Sequence, residues 1–352
     1  MTNMLKFICF LMLACFTFSA SGQNSQFSQY YTSSLFLNPS FAGIPPDLQV
    51  SLNHKRQFQT SGISNELSQF SILYPFVSSG FNARQFGGIG VTAFSESIGD
   101  NFFKNNGFLV STAYNLRLGD FSPDYVIFGL QGGYFNESIN FGNLQWGSQY
   151  TPYLVSGFDP NAADPSAQFN DMVHYPVFNA GLTYYFNPAR TYRLYKYSAF
   201  SGFSFKNLNR PNTSFMGGEV ARKPIFMAYH GGMEFSISHK LRWSPNGIFY
   251  YSTDNRYQFN MGSYVGYSFS DNRSLKANNL YLTFGLWYRL RDSFIFTTGF
   301  QNNNLQMAFS YDLNKAYLFT DPNESLVPSF EISLTYTLGK DKKGGSSSNP
   351  LF

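Results

Sequence analysis

The 352-residue chain has only two cysteines, Cys9 and Cys15, and none after them. That excludes a disulfide scaffold, a thiolate metal centre and a cysteine nucleophile from its body. Charge is equally scarce: Asp, Glu, Lys and Arg make up 12% of residues, against about 25% in an ordinary soluble domain. The net charge of +4 is spread thinly, with no basic block, so nucleic acid is not an expected partner. Beyond the N-terminus no run of about twenty apolar residues exists, which removes helical membrane spans. The histidines His54, His174, His230 and His239 stand in separate segments without paired-ligand spacing. No GxSxG elbow, P-loop or GxGxxG is present, and Gly87-Gly88-Ile89-Gly90 lies in a strand pattern rather than at a helix start. Without an acid–base constellation, neither an enzyme nor a cofactor is expected.

What the chain does have is aromatics, at 20%. Mean hydropathy is nevertheless −0.22, because amides, hydroxyls and glycine fill the gaps. A charge-poor, aromatic-rich chain that is not hydrophobic on average suits a β-barrel with lipid outside and water inside. The alternation supports this. In 279–291, Leu280, Leu282, Phe284, Leu286, Tyr288 and Leu290 share one face, and Tyr281, Thr283, Gly285, Trp287 and Arg289 the other. Phe330, Ile332, Leu334, Tyr336 and Leu338 alternate likewise with Glu331, Ser333, Thr335 and Thr337. Segments of this length exceed the usual five or six residues of a soluble strand and match the nine to eleven of a tilted membrane strand.

About fourteen antiparallel strands are predicted, near 48–58, 64–77, 85–97, 103–118, 124–137, 175–186, 195–207, 223–237, 240–252, 256–270, 278–291, 293–301, 304–312 and 329–338. An even count closes a barrel with both ends on the periplasmic side, and the long connection 140–174, after the fifth strand, then falls outside the cell. The expected fold is an all-β transmembrane outer-membrane barrel over 48–339. Glycines such as Gly87, Gly88, Gly90, Gly129, Gly132, Gly133, Gly231 and Gly232 mark either barrel curvature or close approach of another backbone. Trp146, Trp243 and Trp287 are expected in the interfacial girdles.

Residues 1–22 read as a secretory signal: Lys6, then an apolar run over Phe7–Phe16, then small residues at Ala20-Ser21-Gly22. Leu13-Ala14-Cys15 loosely resembles a lipobox, but the apolar run continues past Cys15. Residues 23–47 form an irregular segment placed in or under the lumen. Its stretch Gln26–Gly43 reads as extended and turned, with Asn38-Pro39 making a turn and Gly43 releasing the chain into the first strand. Residues 340–352, rich in Gly and Ser, read as a flexible periplasmic tail. The loop offers a partner-binding set in Trp146, Tyr150, Tyr153, Phe158, Asp159, Asp164 and Phe169. Its run from Phe158 to Pro165, with Asp171, has oxygen ligands that could suit calcium, although Asp-Pro and Asn are also ordinary turn residues.

The segment Gln26-Phe27-Ser28-Gln29-Tyr30-Tyr31, followed by Leu37-Asn38-Pro39-Ser40-Phe41-Ala42-Gly43, resembles the start of mature PorP/SprF family proteins. Within it the motif positions are Gln26, Phe27, Ser28, Gln29, Tyr30, Asn38, Pro39 and Gly43. Strand-like stretches at 175–185, 201–209 and 330–336 resemble the family's later strands. Ser40-Phe41 departs from the usual Ala-Tyr, and 32–36 lacks the usual Asn-Pro. The resemblance implies an outer-membrane barrel of the type IX secretion system of Bacteroidota. It further implies assistance in secretion and cell-surface attachment of large adhesins bearing a type B C-terminal domain, including those of gliding motility. Expected partners are that adhesin or its C-terminal domain, other secretion components in the periplasm, and outer-membrane lipid. The alternative from the same residues is a fatty-acid-transporter-like or porin-like channel for small solutes, since Asn38-Pro39-Ser40 superficially matches a hatch motif.

Overall fold

The computed structural model describes residues 26–339, apart from 59–63, 79–84, 100–101, 120–123, 141–146, 152–156, 160–161, 163–170, 187–196, 217–218, 239, 270–279, 303 and 315–327. Fourteen strands follow one another: β1 (Leu48–Phe58), β2 (Ser64–Val77), β3 (Gln85–Ile98), β4 (Phe103–Arg117), β5 (Asp124–Ile139), β6 (Met172–Phe186), β7 (Tyr197–Lys206), β8 (Phe226–Ser236), β9 (Leu241–Ser252), β10 (Tyr257–Ser268), β11 (Tyr281–Arg289), β12 (Ser293–Gln301), β13 (Leu305–Asn314) and β14 (Ser329–Leu338). Each pairs antiparallel with its neighbour in sequence, and β1 closes the barrel on β14 in a register running from Leu48 opposite Leu338 to Gln57 opposite Ser329. The fourteen-strand barrel expected from the alternation is the observed one. β8 begins at Phe226 rather than near residue 223 because Pro224 has no N–H to offer a ladder and 211–223 folds back on itself, with Asn212 bridging Arg222.

Period two decides which side chains meet lipid. In β4, Phe108, Val110 and Tyr114 are exposed, while Leu109, Ser111, Ala113 and Asn115 between them are buried. Phe284 and Leu286 of β11 point outward in the same way. The inward face departs from expectation. Polar residues of that face, including Ser71, Thr92, Ser111, Gln131, Thr183, Glu331 and Ser333, are buried against protein rather than open to water. Trp287 also turns inward and is 2% exposed, so it is not a girdle residue. It sits on the polar face of its strand because its ring packs on Tyr30, with centroids 5.3 Å apart. Trp243, by contrast, is exposed.

Connection lengths orient the barrel. The longest gaps, 140–171, 207–225 and 315–328, all follow odd-numbered strands and share one mouth. The connections after even-numbered strands are shorter on the whole and share the other, at which β1 begins. These are the loop-bearing mouth and the near mouth.

Candidate functional site

Polar residues are buried inside the barrel because its lumen holds the chain's own N-terminal strap. Residues 26–47 precede β1, and from Phe27 to Ile44 almost every side chain is buried. The strap is less extended than its sequence suggests. A short helix, α1 (Ser34–Leu37), leads into a 3₁₀ turn over Pro39–Gly43. Pro39 starts that turn with its ring-fixed φ, and the Asn38 side chain caps it by accepting from Ser40 N at 2.9 Å.

The strap's first residues are held by charge at the loop-bearing mouth. Glu331 of β14, fully buried, accepts from Ser28 N at 2.5 Å and from Gln29 N at 3.3 Å. The Gln29 amide reads the same strand, donating to the Glu331 carbonyl at 3.2 Å and accepting from Ser333 Oγ at 2.5 Å. Ser28 Oγ donates to Asp312 of β13 at 2.5 Å. Lys55 of β1 donates to Ser28 Oγ at 2.7 Å and to the Gln26 carbonyl at 3.0 Å, and pairs with Asp312 at 3.1 Å. Arg289 of β11 reaches Asp312 at 3.6 Å, Asp292 at 2.9 Å and the Tyr30 hydroxyl at 3.4 Å. Two cations and two carboxylates thus converge on the strap between Gln26 and Tyr30, with Asp292 holding Arg289 from behind. In a low-dielectric lumen such charge-assisted bonds are the strong ones, and removing one partner strands the rest.

Midway, Asn38 docks on β6, β7 and β8. Its Nδ2 donates toward Thr183 Oγ1 (3.2 Å), the Phe203 carbonyl (3.1 Å) and His230 Nε2 (2.8 Å). With the amide as donor, Nε2 is the accepting nitrogen of His230. Ser40 Oγ meets Thr183 Oγ1 at 2.6 Å, and the Phe41 ring lies 5.0 Å from that of His230. At two places the strap backbone passes so close that the wall carries glycine. A Cβ on Gly129 would stand 2.2 Å from Ser40 N, and one on Gly88 would stand 2.0 Å from the Ala42 carbonyl oxygen. Gly132 meets only the Phe178 ring, at 3.8 Å, so curvature accounts for it better than the strap does.

At the other end, Asn115 donates to the Gly43 carbonyl at 2.6 Å, and Gln85 donates to the Gly43 and Pro45 carbonyls at 2.9 and 2.7 Å. Gln131 and Ser204 donate to the Leu35 and Leu37 carbonyls between. Lys55, Arg289, Asp312 and Glu331 lie near the loop-bearing ends of their strands, whereas Gln85 and Asn115 lie near the other ends. The strap therefore runs down the lumen from the loop-bearing mouth to the near mouth and turns back there into β1. The amide-rich inner wall is a set of donors for its carbonyls.

A family model for the type IX secretion system membrane protein PorP/SprF matches residues 19–336. The chain belongs to the PorP/SprF family. The match runs from before the strap into β14, so strap and wall are one family unit, a secretion-system barrel of the outer membrane. Among solved structures, a Pseudomonas aeruginosa FadL homologue is 10% identical, with a TM-score of 0.45, covering 87% of this chain and 94% of its own. The CymD monoaromatic hydrocarbon channel is 12% identical, with a TM-score of 0.45, covering 91% and 96%. The NanC porin is 10% identical, with a TM-score of 0.34, covering 83% and 100%. At these identities the likeness is one of fold alone. No curated protein matches the sequence.

In this PorP/SprF barrel the motif residues Gln26, Phe27, Ser28, Gln29 and Tyr30 gather at the charged end of the lumen, Asn38 and Pro39 at its middle and Gly43 at its exit. The loop set divides differently. Tyr150 and Phe158 form a β-bridge with their rings 5.5 Å apart, and Asp159 N donates to the Gln149 carbonyl at 2.7 Å. A small hairpin thus stands within the β5–β6 connection, with Tyr150 exposed. Trp146, Tyr153, Asp164 and Phe169 lie outside the described residues. Among the described residues, no three acidic, His or Cys side chains are grouped to hold a metal ion. Sequence reasoning missed the strap-holding roles of Lys55, Arg289, Asp312, Thr183 and His230. The available signal was charge on the inward face of strands in a charge-poor chain, which is costly unless something buried pairs with it.

Proposed function

We propose that this PorP/SprF barrel is a non-enzymatic outer-membrane protein that assists secretion and cell-surface attachment of a large adhesin-type cargo. The cargo carries a type B C-terminal domain, and the role extends to gliding motility. One observation carries the reading: the strap is bonded along the lumen from Ser28 to Gly43, leaving a partner the loops and rim rather than a pore. The β5–β6 connection, with its Tyr150–Phe158 hairpin, is the surface on which a partner's β-domain would dock through aromatics and backbone edges. Residues 340–352 are left for other secretion components on the periplasmic side. The test replaces Gly142–Asn170 with a short linker and compares cargo on cells with cargo in the medium at equal barrel abundance. Loss of attached cargo is expected; unchanged attachment overturns the loop's role.

A solute channel is the second reading. It is favoured by a cavity of about 70 Å³ beside the strap, lined by Gln29, Tyr31, Arg242, Tyr264, Thr297 and Phe300. Solute flux into liposomes through protein with its strap intact would support it.

A further inference from the structure

The strap does not fill the lumen evenly at the loop-bearing mouth. Between it and the β7–β9 wall lies a second cavity of about 80 Å³, lined by Phe27, Ser33 and Phe36 of the strap and by Lys206, Phe226 and Tyr250 of the wall. Lys206 is the last residue of β7 and faces inward. Its Nζ stands 3.7 Å above the Phe36 ring, which itself stacks on Phe94 at 5.2 Å. Four other inward-reaching cations each face a carboxylate: Lys55 with Asp312, Lys223 with Glu137, Arg242 with Glu234, and Arg289 with Asp312 and Asp292. Lys206 faces none and makes no hydrogen bond among the described residues.

A half-buried ammonium with only a ring for company keeps its charge at some cost, and cation–π attraction offsets only part of it. The inward positions around it are uncharged: Ser204 on the same strand, Asn179 on β6 and Phe226 on β8. We propose that this pocket binds a carboxylate carried on a small apolar group: the oxygens pair with Lys206 Nζ, and the carbon side packs between Phe27, Phe36 and Phe226. Gln26, Phe36 and Lys206 are half-buried, so among the described residues the pocket is open toward the loop-bearing mouth with the strap in place. The volume is several times the roughly 10–15 Å³ that one water needs, enough for a carboxylate with a short apolar stem. Two sources present that chemistry: the C-terminal end of an extended polypeptide, and a free short-chain acid. The pocket's assignment does not depend on the adhesin reading.

The test uses the full-length barrel in detergent and titrates three probes by calorimetry: an acetylated dipeptide ending in valine with a free carboxylate, the same dipeptide as its amide, and butyrate. The free acid is expected to bind at least tenfold tighter than the amide. Lys206→Met, which keeps the stem and removes the charge, is expected to abolish that difference, and Lys206→Arg to keep it. Folding of both variants is checked by heat-modifiable gel migration, and the acid–amide comparison on the unaltered protein needs no variant. A dipeptide acid tighter than butyrate assigns the site to a polypeptide end; equal binding assigns it to free acids. Equal binding of acid and amide, or a difference that survives in Lys206→Met, overturns the proposal.

Discussion

Gly129→Ala on β5 adds one methyl group to the wall and changes nothing on the strap. Its Cβ would stand 2.2 Å from Ser40 N and 2.5 Å from both the Pro39 carbonyl carbon and Ser40 Cα. Carbon contacts settle near 3.5–4.0 Å, so the 3₁₀ turn must retreat by roughly 1.3 Å. All three neighbours are backbone, and none can rotate away. A retreat of that size stretches the Asn38 bonds to Thr183 and Phe203, at 3.2 and 3.1 Å, and the Ser40–Thr183 contact at 2.6 Å, beyond bonding range. At about 1 kcal/mol each, with a further ~1 kcal/mol of overpacking strain, the docked strap loses roughly 4 kcal/mol. That is about a thousandfold in the ratio of undocked to docked states. Single-channel recording in planar bilayers reads it as more frequent open events. Gly132→Ala, three residues along the same strand and clear of the strap, is the matched control and should record like the unaltered protein. If Gly129→Ala and Gly132→Ala give the same trace, the strap does not gate the lumen at this point.

Glu331→Gln leaves one acceptor where the backbone N–H groups of Ser28 and Gln29 converge on a carboxylate. It should weaken the outer end of the strap by about 2–3 kcal/mol. Hydrogen exchange at Ser28 and Gln29 is then expected to quicken tenfold or more while Phe41 and Ile44 keep their protection; uniform change along the strap would contradict the separate anchoring of its two ends. Because the Gln26 carbonyl lies 3.0 Å from Lys55 Nζ near the loop-bearing end of β1, a short epitope replacing Asn24-Ser25 should be stained on intact cells. Staining only after permeabilisation would reverse the strap's direction.

The barrel was legible in the sequence because lipid enforces period two on every strand, and fourteen such runs cannot arise from a soluble core. Strand ends were legible where turn residues crowd, and less so at Lys223-Pro224, where a folded-back loop imitates an alternating run. The inward face was read only halfway. Its polarity was visible, but a Ser-Glu-Thr face is the same whether water or a peptide lies against it. What separates the two is contact across about three hundred residues, such as Ser28 with Glu331, and period carries no information at that range. Trp287 was misplaced for a related reason: an aromatic on a polar face reads as a girdle residue until Tyr30 is found beneath it. The direction of the strap was not legible, because it depends on which ends of the wall strands carry Lys55, Asp312 and Arg289 rather than on the strap's own residues.

The central claim is that residues 26–43 lie inside the lumen in a fixed register, and one crosslink tests it. Ser40 Oγ and Thr183 Oγ1 are 2.6 Å apart, and Cys9 and Cys15 both precede the strap, so Ser40→Cys with Thr183→Cys introduces a single new pair. Outer membranes run on a gel without reductant should show the faster-migrating, internally bridged chain, and maleimide should label neither thiol until reductant is added. Two free, maleimide-reactive thiols in folded, heat-modifiable protein would contradict a strap seated in this register.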